Sequence, residues 1–211
     1  MKPTRTWRFL QGLCRIVTTL AFDLKVFGVH RLPQEGGVLV VSNHQSYLDP
    51  VLLAVRTRRP LSYMAKSELF RHKAFTWLIR SLGAFPVRQG AGDVRAMKEA
   101  IERVQEGHAL AIFPEGSRTE NGDLLPIEPG VALVIRKAKV PVVPCVIDGA
   151  NKAWKKDAKF PRPAPIRVLY GRPMDLSGLD REQVVQKIHD TLQNMLQALR
   201  QGRVPLDHRE R

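Results

Sequence analysis

The feature that most constrains this chain is the alternation of short apolar runs with segments of helical periodicity. Residues 38–41, 108–113 and 142–147 are rich in aliphatic side chains, which is typical of buried strands. Because helical patterns separate these runs, the sequence predicts an α/β domain with a largely parallel sheet flanked by helices. Its 211 residues suit one domain with a sizeable core. Further strands are predicted at 22–27, 61–65 and 166–170, and helices at 50–55, 71–82, 93–106, 129–139 and 181–199.

An amphipathic helix is predicted for residues 1–21. Four apolar residues recur there at helical spacing, with arginines between them: Phe9, Leu13, Ile16 and Leu20. No uncharged apolar run reaches the roughly 18 residues of a membrane span, and no cleavage site of a secretion signal is present. The helix either packs on its own domain or lies in a membrane interface, where Trp7 and Phe9 would enter the headgroup region. The chain is accordingly divided into the helix 1–21, the domain 22–200 and a charged tail 201–211.

The formal net charge of +14 indicates an anionic partner. The candidates are nucleic acid, a phosphorylated small molecule and a membrane surface. Since the basic and aromatic residues are not interleaved as in a nucleic-acid platform, no nucleic acid is predicted. The two cysteines, Cys14 and Cys145, indicate a reducing compartment without a disulfide framework. A non-catalytic basic module that binds anionic membrane or nucleic acid is the alternative from another class.

A histidine directly follows the first apolar run. His44 comes after residues 38–41, and Asp49 lies five residues further on. Open α/β sheets bind ligands outside the carboxyl ends of their strands, where this histidine would lie. If the chain turns there, Asp49 can hold one imidazole nitrogen and leave the other as a general base. On these two residues alone, a structural histidine and an aspartate at a helix start are slightly favoured.

A second polar segment reverses that preference. Residues 114–119 directly follow the run 108–113 and carry Glu115 and Arg118. Parallel strands end at the same edge of a sheet, so this segment and His44 are expected to meet there. The pair of segments would bring together a base, a carboxylate and a guanidinium.

No nucleophile of the protein is predicted beside this base. No serine or cysteine has a nucleophile-elbow pattern, so we expect a bound alcohol to attack an acyl donor directly. Ser46 is the main competing nucleophile, and Cys145 ranks below it because it lies within a strand. A metal site of His44, Asp49 and Glu115 fits on residue types, but no second histidine lies at ligand spacing. No metal is therefore predicted.

Four segments together resemble a known family. The residues NHQSYLD at 43–49 and FPEGSR at 113–118 resemble the first and third motifs of the glycerolipid acyltransferases, which include lysophosphatidic acid acyltransferase. Residues 83–88 are similar to the second motif and 140–144 to the fourth. Their order and spacing match from about residue 22 to residue 172. Ile127 and Glu128 stand where the family commonly carries Phe-Lys.

The resemblance implies an acyltransferase of phospholipid biosynthesis. Such an enzyme moves a fatty acyl group from acyl-CoA or acyl-carrier protein to the free hydroxyl of lysophosphatidic acid, giving phosphatidic acid, and needs no cofactor. Glycerol-3-phosphate or another lysophospholipid is the alternative acceptor. Because the family acts on substrates dissolved in a bilayer, residues 1–21 are expected to anchor the enzyme at an anionic membrane. The expected location is peripheral or monotopic, on the cytoplasmic face of the cell membrane.

The resemblance also assigns roles to residues. His44 is the expected general base of this HX4D motif and Asp49 orients it. Arg88 and Arg118 are expected to bind the acceptor phosphate, with Lys66 as a weaker third cation. The remaining substrate-binding residues are expected to shape the acceptor site: Glu115, Gly116 and Ser117. Glu115 would either hold the glycerol hydroxyls or orient Arg118. The basic loop 152–162 would contact anionic lipid, an acidic carrier protein or coenzyme A, or is simply solvated.

Overall fold

One sheet of seven strands organises the part of the chain that the computed structural model describes, residues 3–87, 94–155 and 157–204. The strands are β1 (Lys25–Phe27), β2 (Val38–Ser42), β3 (Leu61–Lys66), β4 (Ala84–Val87), β5 (Ala109–Ile112), β6 (Val142–Asp148) and β7 (Arg167–Tyr170). The α-helices are α1 (Arg5–Phe22), α2 (Asp49–Ala54), α3 (Lys73–Ser81), α4 (Val94–Gln105), α5 (Pro129–Ala138), α6 (Ala150–Ala153) and α7 (Arg181–Arg200). Short 3-10 helices at Val29–Arg31 and Ser67–Phe70 follow β1 and β3.

The sheet is parallel except for one pair of strands. Its spatial order is β1-β7-β6-β2-β5-β3-β4, and only β6 and β7 are antiparallel neighbours. The prediction of an α/β fold with a largely parallel sheet is therefore confirmed. Because β2, β3, β4, β5 and β6 run in the same direction, the segments that follow them emerge at one edge of the sheet. We call it the carboxyl edge.

Helices cover both faces of the sheet, which explains why the strands read as continuous apolar runs. Alternate residues of each strand point to opposite faces, so Leu39 and Val41 contact one core while Val38 and Val40 contact the other. The first core includes buried residues of α4, α5 and α7. The second core includes residues of α1, α2 and α6.

Several predicted boundaries differ from the structure. The strand expected at 22–27 is shorter, because α1 continues to Phe22 and Asp23 takes a left-handed backbone conformation that ends it. The segment 84–87, recognised only as part of a motif, forms the edge strand β4. The helix predicted at 93–106 is confirmed as α4, and its first described residue, Val94, is 76% exposed. The start of α7 is as predicted, since Asp180 and Gln183 form a capping box. Asp93, the first residue of the predicted range, lies outside the described residues.

Helix α1 uses one side to pack on the domain and leaves an apolar side exposed. Trp7 and Phe22 are buried, and the Gln11 side chain donates hydrogen bonds to the carbonyls of Ala54 and Thr57. The opposite side carries apolar residues that are 50% to 81% exposed: Phe9, Leu13, Ile16, Val17 and Leu20. The expectation that Trp7 enters the headgroup region is therefore wrong, because its indole is part of the packed side. Among the described residues, no helix is long and apolar enough to cross a bilayer.

Candidate active site

His44 and Asp49 form a tight pair at the carboxyl edge of the sheet. The chain turns directly after β2, and the Asp49 carboxylate at the start of α2 lies 2.7 Å from His44 Nδ1. The same oxygen, Oδ2, accepts the backbone N–H groups of Gln45 at 2.6 Å and Ser46 at 2.8 Å. Asp49 is fully buried, so it needs these donors. An Nδ1–H that donates to the carboxylate leaves Nε2 with its lone pair, which is the form a general base requires.

A neighbouring asparagine holds the turn on the sheet. Asn43 follows the last residue of β2 and is fully buried. Its Nδ2 donates to the carbonyl of Ile147 at 2.9 Å, and its Oδ1 accepts the N–H of Ile147 at 2.8 Å. The side-chain amide thus replaces a backbone pairing with β6 at the point where β2 leaves the sheet. Asn43 is not among the residues predicted for the site, and its signal in the sequence is an amide side chain directly after a buried strand.

Glu115 joins the two predicted site segments through hydrogen bonds to the backbone. Its Oε1 accepts the N–H of His44 at 2.7 Å, and its Oε2 accepts the N–H of Leu125 at 2.7 Å. The ring of Phe113 stacks on the His44 imidazole with centroids 4.1 Å apart. Since both carboxylate oxygens are occupied and Glu115 is only 4% exposed, we interpret Glu115 as a residue that positions His44. Burial raises the pKa of Glu115 to about 7, the two N–H donors oppose this, and the charge of Asp49 adds to it.

This raised pKa predicts a pH dependence of stability. A carboxyl that holds its proton more tightly when folded stabilises the fold below its unfolded pKa, and this contribution is lost as the pH rises through about 7. At 1.36 kcal/mol per pKa unit, the loss is roughly 3 kcal/mol at most. We expect the free energy of unfolding of the wild type to fall relative to Glu115→Gln between about pH 5 and pH 8, measured by urea denaturation. Parallel curves for the two proteins would contradict this.

Arg118 lies beside the His–Asp pair with part of its hydrogen-bonding capacity unused. Its guanidinium carbon lies 3.5 Å from the centroid of the Tyr47 ring. The Tyr47 ring packs in turn against the ring of Trp154, with the two ring centroids 5.6 Å apart. The next residue, Thr119, donates its N–H to the carbonyl of His44 at 2.9 Å, which keeps this segment against the turn. Nη1 of Arg118 is buried and has no hydrogen-bond partner among the described residues. A buried unpaired donor of this kind suits an anionic ligand.

The other predicted binding residues are exposed or lie outside the described residues. Gly116 and Ser117 are exposed in the turn after β5, and Gly116 has a φ of 65°, which favours glycine. Lys66 is exposed at the end of β3, a strand next to β5, and so shares the carboxyl edge with the pair. Arg88 lies outside the described residues. Tyr47, which supports Arg118, was not singled out from the sequence, because its contact depends on the fold of the turn.

The competing nucleophiles are occupied or buried. The Ser46 hydroxyl donates to the carbonyl of Trp154 at 3.1 Å and accepts the N–H of Leu48 at 3.3 Å. Cys145 is fully buried inside β6, and this burial raises the pKa of its thiol well above the usual value. No group of three or more His, Cys, Asp or Glu residues in the described ranges is arranged to hold a metal ion. The site therefore offers an oriented base and a guanidinium without a free nucleophile.

The chain is similar to known proteins along most of its length. The model of the family described as Acyltransferase matches residues 23–148, which contain the His–Asp turn and the Glu115 segment. The chain belongs to this acyltransferase family. It is 25% identical to a 1-acyl-sn-glycerol-3-phosphate acyltransferase of Bacillus subtilis, over 80% of this chain and 82% of the relative. It is 28% identical to the enzyme of that name from Streptococcus pneumoniae, over 79% of this chain and 61% of the relative.

A solved structure shows the same fold. The crystal structure of the 1-acyl-sn-glycerophosphate acyltransferase PlsC from Thermotoga maritima superposes with a TM-score of 0.80 at 25% sequence identity. The match covers 91% of this chain and 79% of that one. The family resemblance seen in the sequence is confirmed, and the chain is an O-acyltransferase.

Proposed function

We propose that this acyltransferase moves a fatty acyl group from an acyl thioester to the free hydroxyl of lysophosphatidic acid, giving phosphatidic acid. The observation that carries the proposal is the His44–Asp49 pair at 2.7 Å, next to an arginine whose buried Nη1 has no partner among the described residues. His44 takes the proton of the acceptor hydroxyl, and the guanidinium of Arg118 binds the phosphate of the same acceptor. The names of the Bacillus and Thermotoga relatives support this acceptor.

The reaction follows from the arrangement of the pair. His44 Nε2 takes the proton of the acceptor hydroxyl as its oxygen attacks the thioester carbonyl carbon. The tetrahedral intermediate collapses, the carbon–sulfur bond breaks, and the imidazolium returns the proton to the departing thiolate. The buried carboxylate of Asp49 balances the positive charge on His44 while the proton is held there. Direct attack is consistent with the engaged hydroxyl of Ser46.

Phosphate recognition by Arg118 gives a test of the acceptor. Charge-assisted hydrogen bonds are worth about 1.5–3 kcal/mol, so Arg118→Ala should lower kcat/KM for lysophosphatidic acid roughly 10- to 150-fold. The same variant should lose much less activity on monoacylglycerol, which has the hydroxyl but no phosphate. Steady-state rates on both acceptors, presented in the same detergent micelles, measure the difference.

The control for this test is Arg136→Ala. Arg136 is an exposed arginine on α5. This helix packs on the opposite face of the sheet from α1 and α2. Its loss changes the net charge equally and should leave both acceptors unaffected. Equal losses of Arg118→Ala on the two acceptors would mean that Arg118 has a structural role, and the phosphate assignment would be wrong.

The acyl donor in this proposal is acyl-CoA or acyl-carrier protein, and no cofactor takes part. The loop 152–162 borders the site through Trp154, whose ring contacts Tyr47 and whose carbonyl accepts the Ser46 hydroxyl. Lys152, Lys155 and Arg162 are exposed along this loop. Both donors are anionic, and salt screens their attraction to these basic residues. Rates measured with each donor at low and high salt will show which donor depends on that attraction.

The exposed side of α1 supports association with a membrane. A contiguous apolar helix face of this size favours insertion into the interface of a bilayer. Because Trp7 and Gln11 attach α1 to the domain, deleting the helix would disturb the fold, and substitutions on the outward side are the cleaner test. Each fully buried apolar side chain contributes about 1.5–3 kcal/mol as an upper bound.

We therefore expect Leu13→Gln with Ile16→Gln to weaken binding to lipid vesicles about tenfold or more. The loss should persist at high salt, since apolar burial is not screened, and co-sedimentation with vesicles measures it. Leu133→Gln changes an exposed leucine on α5 and is the control. If the double variant sedimented with vesicles as well as the wild type, the membrane contact would have to lie elsewhere on the protein.

A further inference from the structure

A groove of about 820 Å³ lies between α1 and the segment that runs from β1 towards β2. Its lining includes five basic residues, and we call it the basic groove: Arg15, Lys25, His30, Arg56 and Arg58. Two of them, Arg56 and Arg58, follow α2 and precede β3, so they lie at the amino ends of the parallel strands. His44 lies at the opposite, carboxyl edge of the sheet. The basic groove is therefore separate from the active site.

The basic groove brings several arginines close together. At its edge Lys25 pairs with Asp23 at 3.8 Å, and both side chains are exposed. Among the described residues, Arg56 has one hydrogen-bond partner, the hydroxyl of Thr19 at a long distance of 3.5 Å. Burial and the nearby charge of Arg15 both lower the pKa of Arg56. Arg15 and Arg56 line the same groove, where their positive charges disfavour each other, and a bound anion would relieve that repulsion.

The position of the basic groove on α1 indicates where the anion comes from. Successive side chains of a helix are about 100° apart, which divides α1 into three sides. Trp7, Gln11 and Thr18 occupy the packed side, whereas Leu13, Ile16 and Leu20 occupy the outward apolar side. Arg8, Arg15 and Thr19 lie between these two sides, where α1 borders the basic groove. A ligand in the groove is thus adjacent to the surface that suits acyl chains.

We propose that the basic groove binds the phosphate headgroup of an anionic phospholipid while the apolar side of α1 contacts the acyl chains of the bilayer. The phosphate oxygens accept hydrogen bonds from Arg15 and Arg56, and Arg58 adds charge at the rim. A lipid suits the groove better than a free phosphate because the apolar side of α1 lies directly next to it. This inference rests on the membrane association proposed above, and it adds a selectivity for headgroup charge that an apolar helix face does not provide.

The test compares two vesicle types, phosphatidylcholine alone and phosphatidylcholine with phosphatidylglycerol. The variant is Arg15→Gln with Arg56→Gln, and the control is Arg136→Gln with Lys137→Gln, an equal loss of charge from exposed residues of α5. An arginine at an anionic surface is worth about 1 kcal/mol, or roughly fivefold in Kd. We expect the groove variant to bind the anionic vesicles about 20-fold more weakly and the control less than about threefold, because distant charges are screened. Binding to phosphatidylcholine vesicles should be the same for all three proteins.

Three results would overturn the inference. Equal losses in the groove variant and the control would show that only overall charge matters. An equal loss on neutral vesicles would show that the groove does not select headgroup charge. Displacement from anionic vesicles by inorganic phosphate, beyond that by chloride at equal ionic strength, would assign the groove to free phosphate. If the wild type bound neither vesicle type, the membrane association itself would fail, which is a distinct outcome.

Folding of the variant can be checked independently. Circular dichroism and the thermal unfolding midpoint should match those of the wild type. Because Arg56 is partly buried, Arg15→Gln with Arg58→Gln serves as a second variant that changes only exposed side chains. It should show the same selective loss on anionic vesicles, and retention of full binding by both folded variants would also overturn the inference.

Discussion

Replacing His44 with alanine is expected to reduce kcat by about 10²–10⁴-fold while leaving the fold intact, because general-base catalysis contributes roughly this factor. One ring nitrogen of His44 is hydrogen-bonded to a buried carboxylate, and the other has no partner among the described residues. No other side chain described at the carboxyl edge combines these two features. Without it, no described group nearby is placed to take the hydroxyl proton. Its backbone bonds to Glu115 and Thr119 do not depend on the imidazole, so the loops should keep their positions.

A second histidine supplies the control for this experiment. His189 on α7 also lies near a carboxylate, with Nδ1 at 3.4 Å from Asp190, but the pair is on an exposed helix surface. His189→Ala should leave kcat and KM unchanged. Steady-state rates with lysophosphatidic acid, together with circular dichroism, separate lost chemistry from lost folding. A His44→Ala protein that turned over at near wild-type rates would rule out the general-base mechanism.

The sequence predicts the main parts of the fold and the pairing of the two site segments. Apolar runs buried on both faces of a sheet can be recognised without knowing what packs on them, as with β2 and β6. The rule that parallel strands end at one edge then places His44 and Glu115 together. Both inferences depend on local pattern and on topology alone, and the structure confirms them.

Roles that depend on tertiary contacts could not be predicted in this way. Glu115 was expected to shape the acceptor site, but in the structure both of its oxygens accept backbone N–H groups from loops 71 and 10 residues away in the chain. Trp7 was assigned to the membrane because an indole at a helix start suits either an interface or a core. Strand β4 is short and contains Pro86, which is tolerated because it is an edge strand. In each case the deciding partner is distant in the sequence.

Asp49 permits a prediction that separates its charge from its structural role. All three donors, His44 Nδ1 and the N–H groups of Gln45 and Ser46, converge on Oδ2, whereas Oδ1 is buried without a partner among the described residues. An asparagine can place its carbonyl oxygen where Oδ2 lies and keep all three donors paired. Asp49→Asn should therefore preserve the turn, at a cost of about 1–3 kcal/mol for a buried amide nitrogen without an acceptor.

Catalysis should respond far more strongly than stability to Asp49→Asn. The neutral amide cannot balance the positive charge that His44 acquires in the transition state, and the corresponding substitution in a Ser-His-Asp triad lowers kcat about 10⁴-fold. We expect a loss of about 10²–10⁴-fold in kcat here. Asp49→Ala should lose comparable activity and also destabilise the fold, since two buried backbone N–H groups then lack an acceptor at about 1–3 kcal/mol each. Urea unfolding and steady-state kinetics on both variants measure the two effects. If Asp49→Asn kept near wild-type turnover while Asp49→Ala did not, the carboxylate would act only by holding the turn, and charge balance would have to be removed from the mechanism.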